Sequence, residues 1–343
     1  MRYLVGFLGL AILFSSIPLH AKSLNIAFGS CLRQWKPQPV WQGILTSNPD
    51  LFIFLGDNVY TDNGPYRFQK EPERIEAAYR ELSDVNGYQK LKQKVPILAT
   101  WDDHDYGRNN SGHEYPYKEI SKSFFLDFFE VPKNSPQFKR KGIYTSEIIQ
   151  SEIGPVQILL LDTRTFRTEL VYGDTDINCP SSRLLPNADE DATILGAEQW
   201  SWFEDQLKKP VALRVIASSI QVIPEEHCYE KWANFPRERG RLLKLLYSKP
   251  ETPVVILSGD RHLAEISRLT RNSVGDFIYE ITSSGLNSAG AGKNEVNRHR
   301  MSQDNIREDN FGFIKISSTE GTPDIRLQVR NIDGNILQEV IVK

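Results

Sequence analysis

Three carboxylates and an imidazole stand side by side in Trp101-Asp102-Asp103-His104-Asp105, and two Gly-Asp corners lie far from them in sequence, at Gly56-Asp57 and Gly259-Asp260. Each cluster follows a short apolar run that reads as a buried strand: Val95–Thr100, Leu51–Leu55 and Pro253–Leu257. In an open α/β sheet the carboxyl ends of the strands form one rim, and ligands bind along it. Three acidic turns on one rim crowd like charges that would otherwise take up protons. Multivalent metal ions neutralise such a cluster directly, so the pattern reads as a metal-dependent hydrolase.

Further donors sit at matching places. Tyr60 follows Asp57 by three residues, which suits a carboxylate bridging two metals and a phenolate on a ferric ion; an amphipathic core tyrosine is the competing reading. Gly259-Asp260-Arg261-His262 offers a carboxylate and an imidazole two residues apart, a spacing that serves adjacent metals from one loop. Cys31, in Phe28-Gly29-Ser30-Cys31, ends the first strand and faces the same rim, either as a thiolate ligand or as a small buried hydrophobe. With three cysteines in a secreted chain one is left over, and we pair Cys179 with Cys228, leaving Cys31 for metal.

Strand and helix patterns alternate in the order needed to carry these turns. Ile26–Gly29, Leu51–Leu55, Val95–Thr100, Val156–Leu161, Ala212–Ala217 and Pro253–Leu257 read as strands; Val156–Leu161 is apolar enough to be covered on both faces. Pro72–Leu82, Tyr117–Phe129 (stripe Ile120, Phe124, Phe125, Phe128), Ala197–Leu207 and Arg237–Tyr247 carry helical spacing. After Asp260 come strand patterns at Glu265–Leu269, Phe277–Thr282, Phe313–Ser317, Ile325–Val329 and Ile336–Val342, with a hairpin turn at Asn331–Asn335. Two facing sheets with helices outside, in one domain over residues 22–343, is the expected α/β architecture. Asn178–Asp191 reads as a surface loop.

Residues 1–21 read as a signal peptide: Met1-Arg2, then the apolar run Tyr3–Phe14, then Ser15–Ala21. That run is short for a membrane span, so secretion to the periplasm or exterior is expected, an uncleaved anchor being the alternative. The formal charge of −3 gives no electrostatic reason for binding nucleic acid or anionic membranes.

Five motifs in order then resemble the PhoD-like alkaline phosphatases, a branch of the calcineurin-like metallophosphoesterase superfamily. They are Phe28–Cys31, Leu55–Asp62, Thr100–Gly107, Leu161–Arg164 and Leu257–His262, with Asn310-Phe311-Gly312 similar to a later strand start. The resemblance implies a four-layered α/β/β/α sandwich with a dinuclear centre between the sheets. It implies Cys31, Asp57, Tyr60 and His262 around one metal, ferric iron, as in the similar Gly-Asp-x-x-Tyr motif of purple acid phosphatases. Asp57 would bridge to a second metal, calcium or another oxygen-seeking divalent ion, held by Asp103 and Asp260. Asp103 stands where the wider superfamily has asparagine and Asp260 where it often has histidine, which makes this second site richer in oxygen. Asn109, Asn110 and Gln221 are candidates to complete it.

The chemistry implied is hydrolysis of phosphodiesters or phosphomonoesters by a metal-activated hydroxide attacking in line. His104 is expected to protonate the leaving oxygen, with Asp105 orienting its ring. Arg164 is a phosphate clamp or a structural ion pair, with Arg108 and Arg261 as alternatives for the clamp. Asn63–Arg67 and Asn109–Tyr117 are expected to wall the pocket. Lipid- or polymer-directed phosphodiesterase action (phospholipase D-like) and an inactive secreted binding protein on the same scaffold are the other readings.

Overall fold

A computed structural model describes residues 23–343 apart from 178, 180–182, 250, 272–275 and 294. The expected signal peptide lies outside the described residues. Among those residues no helix is long and apolar enough to cross a membrane.

Every side chain of Leu51–Leu55 is buried, and their alternation explains the layers. Leu51, Ile53 and Leu55 enter a core shared with Val156, Ile158, Leu160, Val215 and Leu257. Phe52 and Phe54 point the other way, into a second core with Trp41, Ile75, Tyr79, Tyr88 and Phe125. Val254–Ser258 repeats the rule: Val255 and Leu257 face the shared core, while Val254 and Ile256 meet Trp200, Phe203, Leu242 and Leu246. A strand apolar on both faces lies between two layers, since successive side chains point to opposite sides.

Two six-stranded sheets result. One runs Ile336–Ile341, Thr322–Asn331, Asn310–Thr319, Ser23–Gly29, Leu51–Leu55, Ile97–Thr100. The other runs Ala264–Thr270, Phe277–Ser283, Val254–Ser258, Leu213–Ala217, Gly154–Leu160, Thr145–Ser151. Ser23–Gly29, Leu51–Leu55 and Ile97–Thr100 are mutually parallel, as are Phe277–Ser283, Val254–Ser258, Leu213–Ala217 and Gly154–Leu160. Helices Val40–Thr46, Glu73–Ser83, Asn86–Lys94 and Lys118–Phe128 cover the first sheet; Gly196–Leu207 and Pro236–Tyr247 cover the second. This is the expected four-layered α/β/β/α sandwich.

Several elements differ from the sequence reading. Asn86–Lys94 buries only Tyr88 and Leu91, too few to mark a helical stripe. Thr145–Ser151 is a half-exposed edge strand of mostly polar residues, so no apolar run announces it. Ile120, placed on the apolar stripe of its helix, stands exposed, whereas Leu126 is buried. The loop expected at Asn178–Asp191 includes Leu184–Leu185, which pairs with Val171–Tyr172 in a small ribbon. Cys179 and Cys228 are joined by a disulfide and Cys31 is free and buried. The Asn331–Asn335 turn forms as expected, closed by Gly334 N–H to the Asn331 carbonyl at 2.9 Å.

Burial sets a first expectation. Ile53→Ala, between the sheets, should cost about 3–4 kcal/mol, against under about 1 kcal/mol for Ile148→Ala on the exposed edge, read by urea denaturation. Equal costs would contradict the assigned layers.

Candidate metal centre

The parallel strands of both sheets end at one rim, and each delivers part of the site there. Cys31 follows Ser23–Gly29, Asp57 follows Leu51–Leu55, and Asp260 and His262 follow Val254–Ser258. Asp103 and His104 open a single helical turn, Asp103–Tyr106, just past Ile97–Thr100. The two sheets are stitched together at that rim: Thr100 Oγ1 donates to the Leu161 carbonyl at 2.6 Å, and Ser219 Oγ to Asp102 at 2.6 Å.

Two groups of potential ligand atoms meet at Asp57. Atoms of Cys31, Asp57 and His262 lie within 4.8 Å of one another, and so do atoms of Asp57, Asp103 and His104. Tyr60 joins the first group, its hydroxyl donating to Asp57 Oδ2 at 2.9 Å and lying 3.2 Å from His262 Nε2. Cys31 Sγ is 3.4 Å from the same Asp57 oxygen. Asp260 lines the cavity above Asp57 but belongs to neither tight group, whereas His104 falls into the second. Asp103 Oδ2 is held by the Asn110 N–H at 2.6 Å, but its Oδ1 is buried with no hydrogen-bond partner. A buried carboxylate oxygen without a partner is costly. That orphan, with the thiol, imidazole and phenol donors around one shared carboxylate, fits a pair of metal ions.

The backbone is bent to make this possible. Of eight non-glycine residues with positive φ among the described residues, five are Cys31, Asp57, Asn110, Asp260 and His262. Such conformations cost of order 1–3 kcal/mol each and persist where the surroundings impose them. Gly56, at φ +100°, cannot carry a side chain here, because a Cβ would stand 2.5 Å from the Asp102 backbone nitrogen.

Buried polar groups behind the site hold these corners. Asp105 accepts the backbone N–H groups of Asp102 at 2.6 Å and of Asp57 and Asn58 at 3.3 Å, so one carboxylate ties two corners together. It does not touch the His104 ring, which corrects its expected orienting role. That contact belongs to Asp62, whose Oδ1 lies 2.5 Å from His104 Nδ1 and whose Oδ2 accepts the Asn109 N–H at 2.8 Å. The missed signal was Asp62 itself, the last residue of the Leu55–Asp62 motif. The Tyr60 ring packs 4.3 Å from the His104 ring.

Arg164 has no exposed surface, and its guanidinium is taken up by Asp102 and by Glu230, the latter at 2.7 Å. The phosphate-clamp reading is therefore corrected to the structural ion pair. Its partners are Asp102 and Glu230 and not Asp162, whose carboxylate accepts Trp101 Nε1 and the Ile143, Arg164 and Thr165 N–H groups. Arg108 pairs with Glu71 at 3.1 Å and Arg261 with Glu295 at 2.6 Å. Gln221 is engaged by Glu265 and Thr282, away from the cavity, while Asn109 and Asn110 line it.

Crowding dictates the electrostatics. Burial, with Asp103 as a like charge and His104 opposing, raises Asp57 to about 6. Burial again, with Arg261 opposing and Asp103 and Asp57 reinforcing, raises Asp260 to about 7. Burial works against the His104 imidazolium, yet Asp103, Asp57 and Asp62 outweigh it and hold the ring well above its ordinary value. His262 moves the other way: burial lowers it to about 4, the Ser288 carbonyl opposing and Arg33 adding to the fall. A neutral His262 donates Nδ1–H to Ser288 O at 2.5 Å and leaves Nε2 free to ligate.

The site opens into a cavity of about 330 Å³. Asn109 and Asn110 form one wall as expected, but Asn63–Arg67 does not line it. The opposite wall is Leu184, Tyr229, Glu230, Arg261 and Ala291. The Cys179–Cys228 disulfide braces that wall, the Leu184 N–H donating to the Cys228 carbonyl at 2.8 Å.

Residues 26–333 match the family model of the PhoD-like phosphatases. The chain is similar to alkaline phosphatase D of Bacillus subtilis (strain 168), at 24% identity over 335 residues, covering 84% of this chain and 54% of that protein. It thus spans about half the length of that curated relative. A solved structure of PhoD superposes with a TM-score of 0.70 at 18% identity, covering 95% of this chain and 73% of that one.

Two outcomes follow for the site. A divalent ion must displace protons from Asp57 and Asp260, so the apparent affinity for Mn2+ should fall at least about tenfold from pH 7.5 to 5.5, measured by calorimetry; a flat profile would contradict the cluster. Arg164→Met should destabilise the protein by about 3–5 kcal/mol, because it strands two buried carboxylates.

Proposed function

Because the chain belongs to the PhoD-like phosphatase family, we propose that it is a metal-dependent phosphoric-ester hydrolase with a dinuclear centre bridged by Asp57. The observation that carries the reading is the meeting of two ligand groups at that one carboxylate, on the floor of a cavity that His104 lines. Cys31, Tyr60 and His262 would hold one metal, and the mixture of thiolate, phenolate and imidazole suits ferric iron. Asp103 would hold the other together with Asp57, and Asp260 would complete it from the cavity lining outside the tight group; their oxygens suit calcium or a similar divalent ion, which leaves the His104 ring for the substrate. When bound, the metals supply Lewis acidity toward the phosphoryl oxygens and an activated water.

The protein's own part is proton placement. His104 Nδ1 is committed to Asp62, which leaves Nε2 to donate to the departing oxygen. The Asp62 carboxylate at 2.5 Å favours the protonated ring. Asp62 is a positioning residue that fixes the tautomer and the ring plane. The Tyr60 ring, 4.3 Å from the His104 ring, restrains the same plane. Phosphodiesters and phosphomonoesters are both admitted by this chemistry. Residues 1–21 support a secreted or periplasmic setting.

His104→Asn should lower kcat on a nitrophenyl phosphate ester by about 10²–10⁴-fold while bound metal per chain stays unchanged. Asp62→Asn should lower kcat less and move the basic limb of its pH profile to lower pH, since one of the carboxylates that raise His104, after Asp103 and Asp57, is gone. Loss of metal from His104→Asn, or an unmoved limb in Asp62→Asn, would remove these roles.

A further inference from the structure

A second cavity of about 520 Å³ adjoins the metal centre and shares His262 and Ala291 with the first. It is lined by Arg33, Lys36, Asn287, Ser288 and Asp309. No ion pair ties Arg33 or Lys36 to a carboxylate among the described residues, in contrast to Arg261, which lines the first cavity and pairs with Glu295. The Arg33 Nε and the Ser288 Oγ are both buried and both lack a hydrogen-bond partner, and Ser288 is only 8% exposed. A buried guanidinium nitrogen and a buried hydroxyl left unpaired on one cavity mark a place prepared for an acceptor.

The surroundings fix the sign of that acceptor. Asp309 is the carboxylate on the cavity, and one of its oxygens is occupied by the Ala289 N–H at 3.1 Å. Against it stand Arg33 and Lys36. Arg307 adds a third cation behind the loop, donating to the Gly290 and Ala291 carbonyls at 2.9 and 3.1 Å. Arg33 is held by its backbone, its N–H on Asn287 Oδ1 at 2.8 Å and its carbonyl accepting from Asn287 Nδ2 at 2.9 Å. Its guanidinium lies 5.5 Å from the Tyr60 ring centroid, so it reaches toward the metal side of the cavity. The Ser288 carbonyl meanwhile binds His262 Nδ1, which places the orphan hydroxyl one residue's width from a candidate metal ligand.

We propose that Arg33, Lys36 and Ser288 form a second anion subsite, which makes substrates carrying a second phosphate group the preferred class for this enzyme. The subsite rests on the hydrolase reading for its meaning but not for its measurement. One phosphate sits at the metals and the other in the adjoining cavity, so the two bind as a unit and the second contributes affinity without taking part in bond cleavage.

The test is calorimetry on the metal-loaded full chain with non-hydrolysable probes: alkyl-1,ω-bisphosphonates of two to six methylenes against the matching alkyl monophosphonates. Wild type should bind the best bisphosphonate at least about tenfold tighter than its monophosphonate, with an optimum chain length. Arg33→Gln and the exposed-site variant Lys36→Gln should each remove most of that advantage while changing monophosphonate affinity less than about twofold. Bisphosphonates that bind no tighter than monophosphonates at any length would overturn the subsite. So would variants that weaken both probes equally, since the cations would then serve the reacting phosphate. Protein that shows the bisphosphonate advantage but hydrolyses no phosphate ester would overturn the hydrolase reading and leave the subsite standing.

Discussion

Asp57 is a carboxylate buried at the end of a strand, with no Lys or Arg paired to it among the described residues and the His104 ring as the charge that opposes its burial. Four further carboxylates, Asp102, Asp103, Asp105 and Asp260, crowd the same rim; burial and like charges push Asp57, Asp102, Asp105 and Asp260 up, while against burial His104 and Arg164 hold Asp103 down. The protein resolves the five in different ways. Arg164 neutralises Asp102 in a fully buried pair. Asp105 is spent on three backbone N–H groups. Asp57 and Asp260 are left lining a cavity, with an unpartnered Asp103 oxygen beside them, and that concentration of acidic oxygens is what a metal pair would absorb.

The fold can be understood as the frame that holds this concentration of charge. The inter-sheet core, built from alternating aliphatic side chains on both inner faces, fixes the rims against each other. That rigidity lets Cys31, Asp57, Asp260 and His262 sit in left-handed backbone conformations at the strand ends. A looser frame would relax those corners and swing the donors apart. The disulfide-braced wall carrying Tyr229 and Glu230 then closes the side of the site that the sheets leave open, and Glu230 links that wall to the Arg164 pair beneath.

Much of this was legible because chemistry and burial coincide in the sequence. Short, largely apolar runs marked the central strands, and an acidic residue within three positions of such a run marked Asp57, Asp103 and Asp260. Elements with half-exposed, polar patterns were not legible: Thr145–Ser151 lies at a sheet edge and Asn86–Lys94 buries two side chains. The roles of neighbouring carboxylates were also beyond sequence. Asp105 adjoins His104 in the chain, yet a helical turn sends it inward to cap backbone N–H groups, while Asp62, 42 residues away, meets the ring. Likewise Arg164 follows a strand end as a substrate-binding arginine would, and only the position of Asp102 and Glu230 shows that its charge is already used.

The most direct test of the shared carboxylate is metal counting by elemental analysis on purified wild type and Asp57→Asn. Two metals per chain in wild type and loss of both in the variant, with the fold retained by circular dichroism, is the predicted result. A variant that keeps one metal at full occupancy would contradict a bridging Asp57, and wild type that binds a single ion would contradict the dinuclear centre.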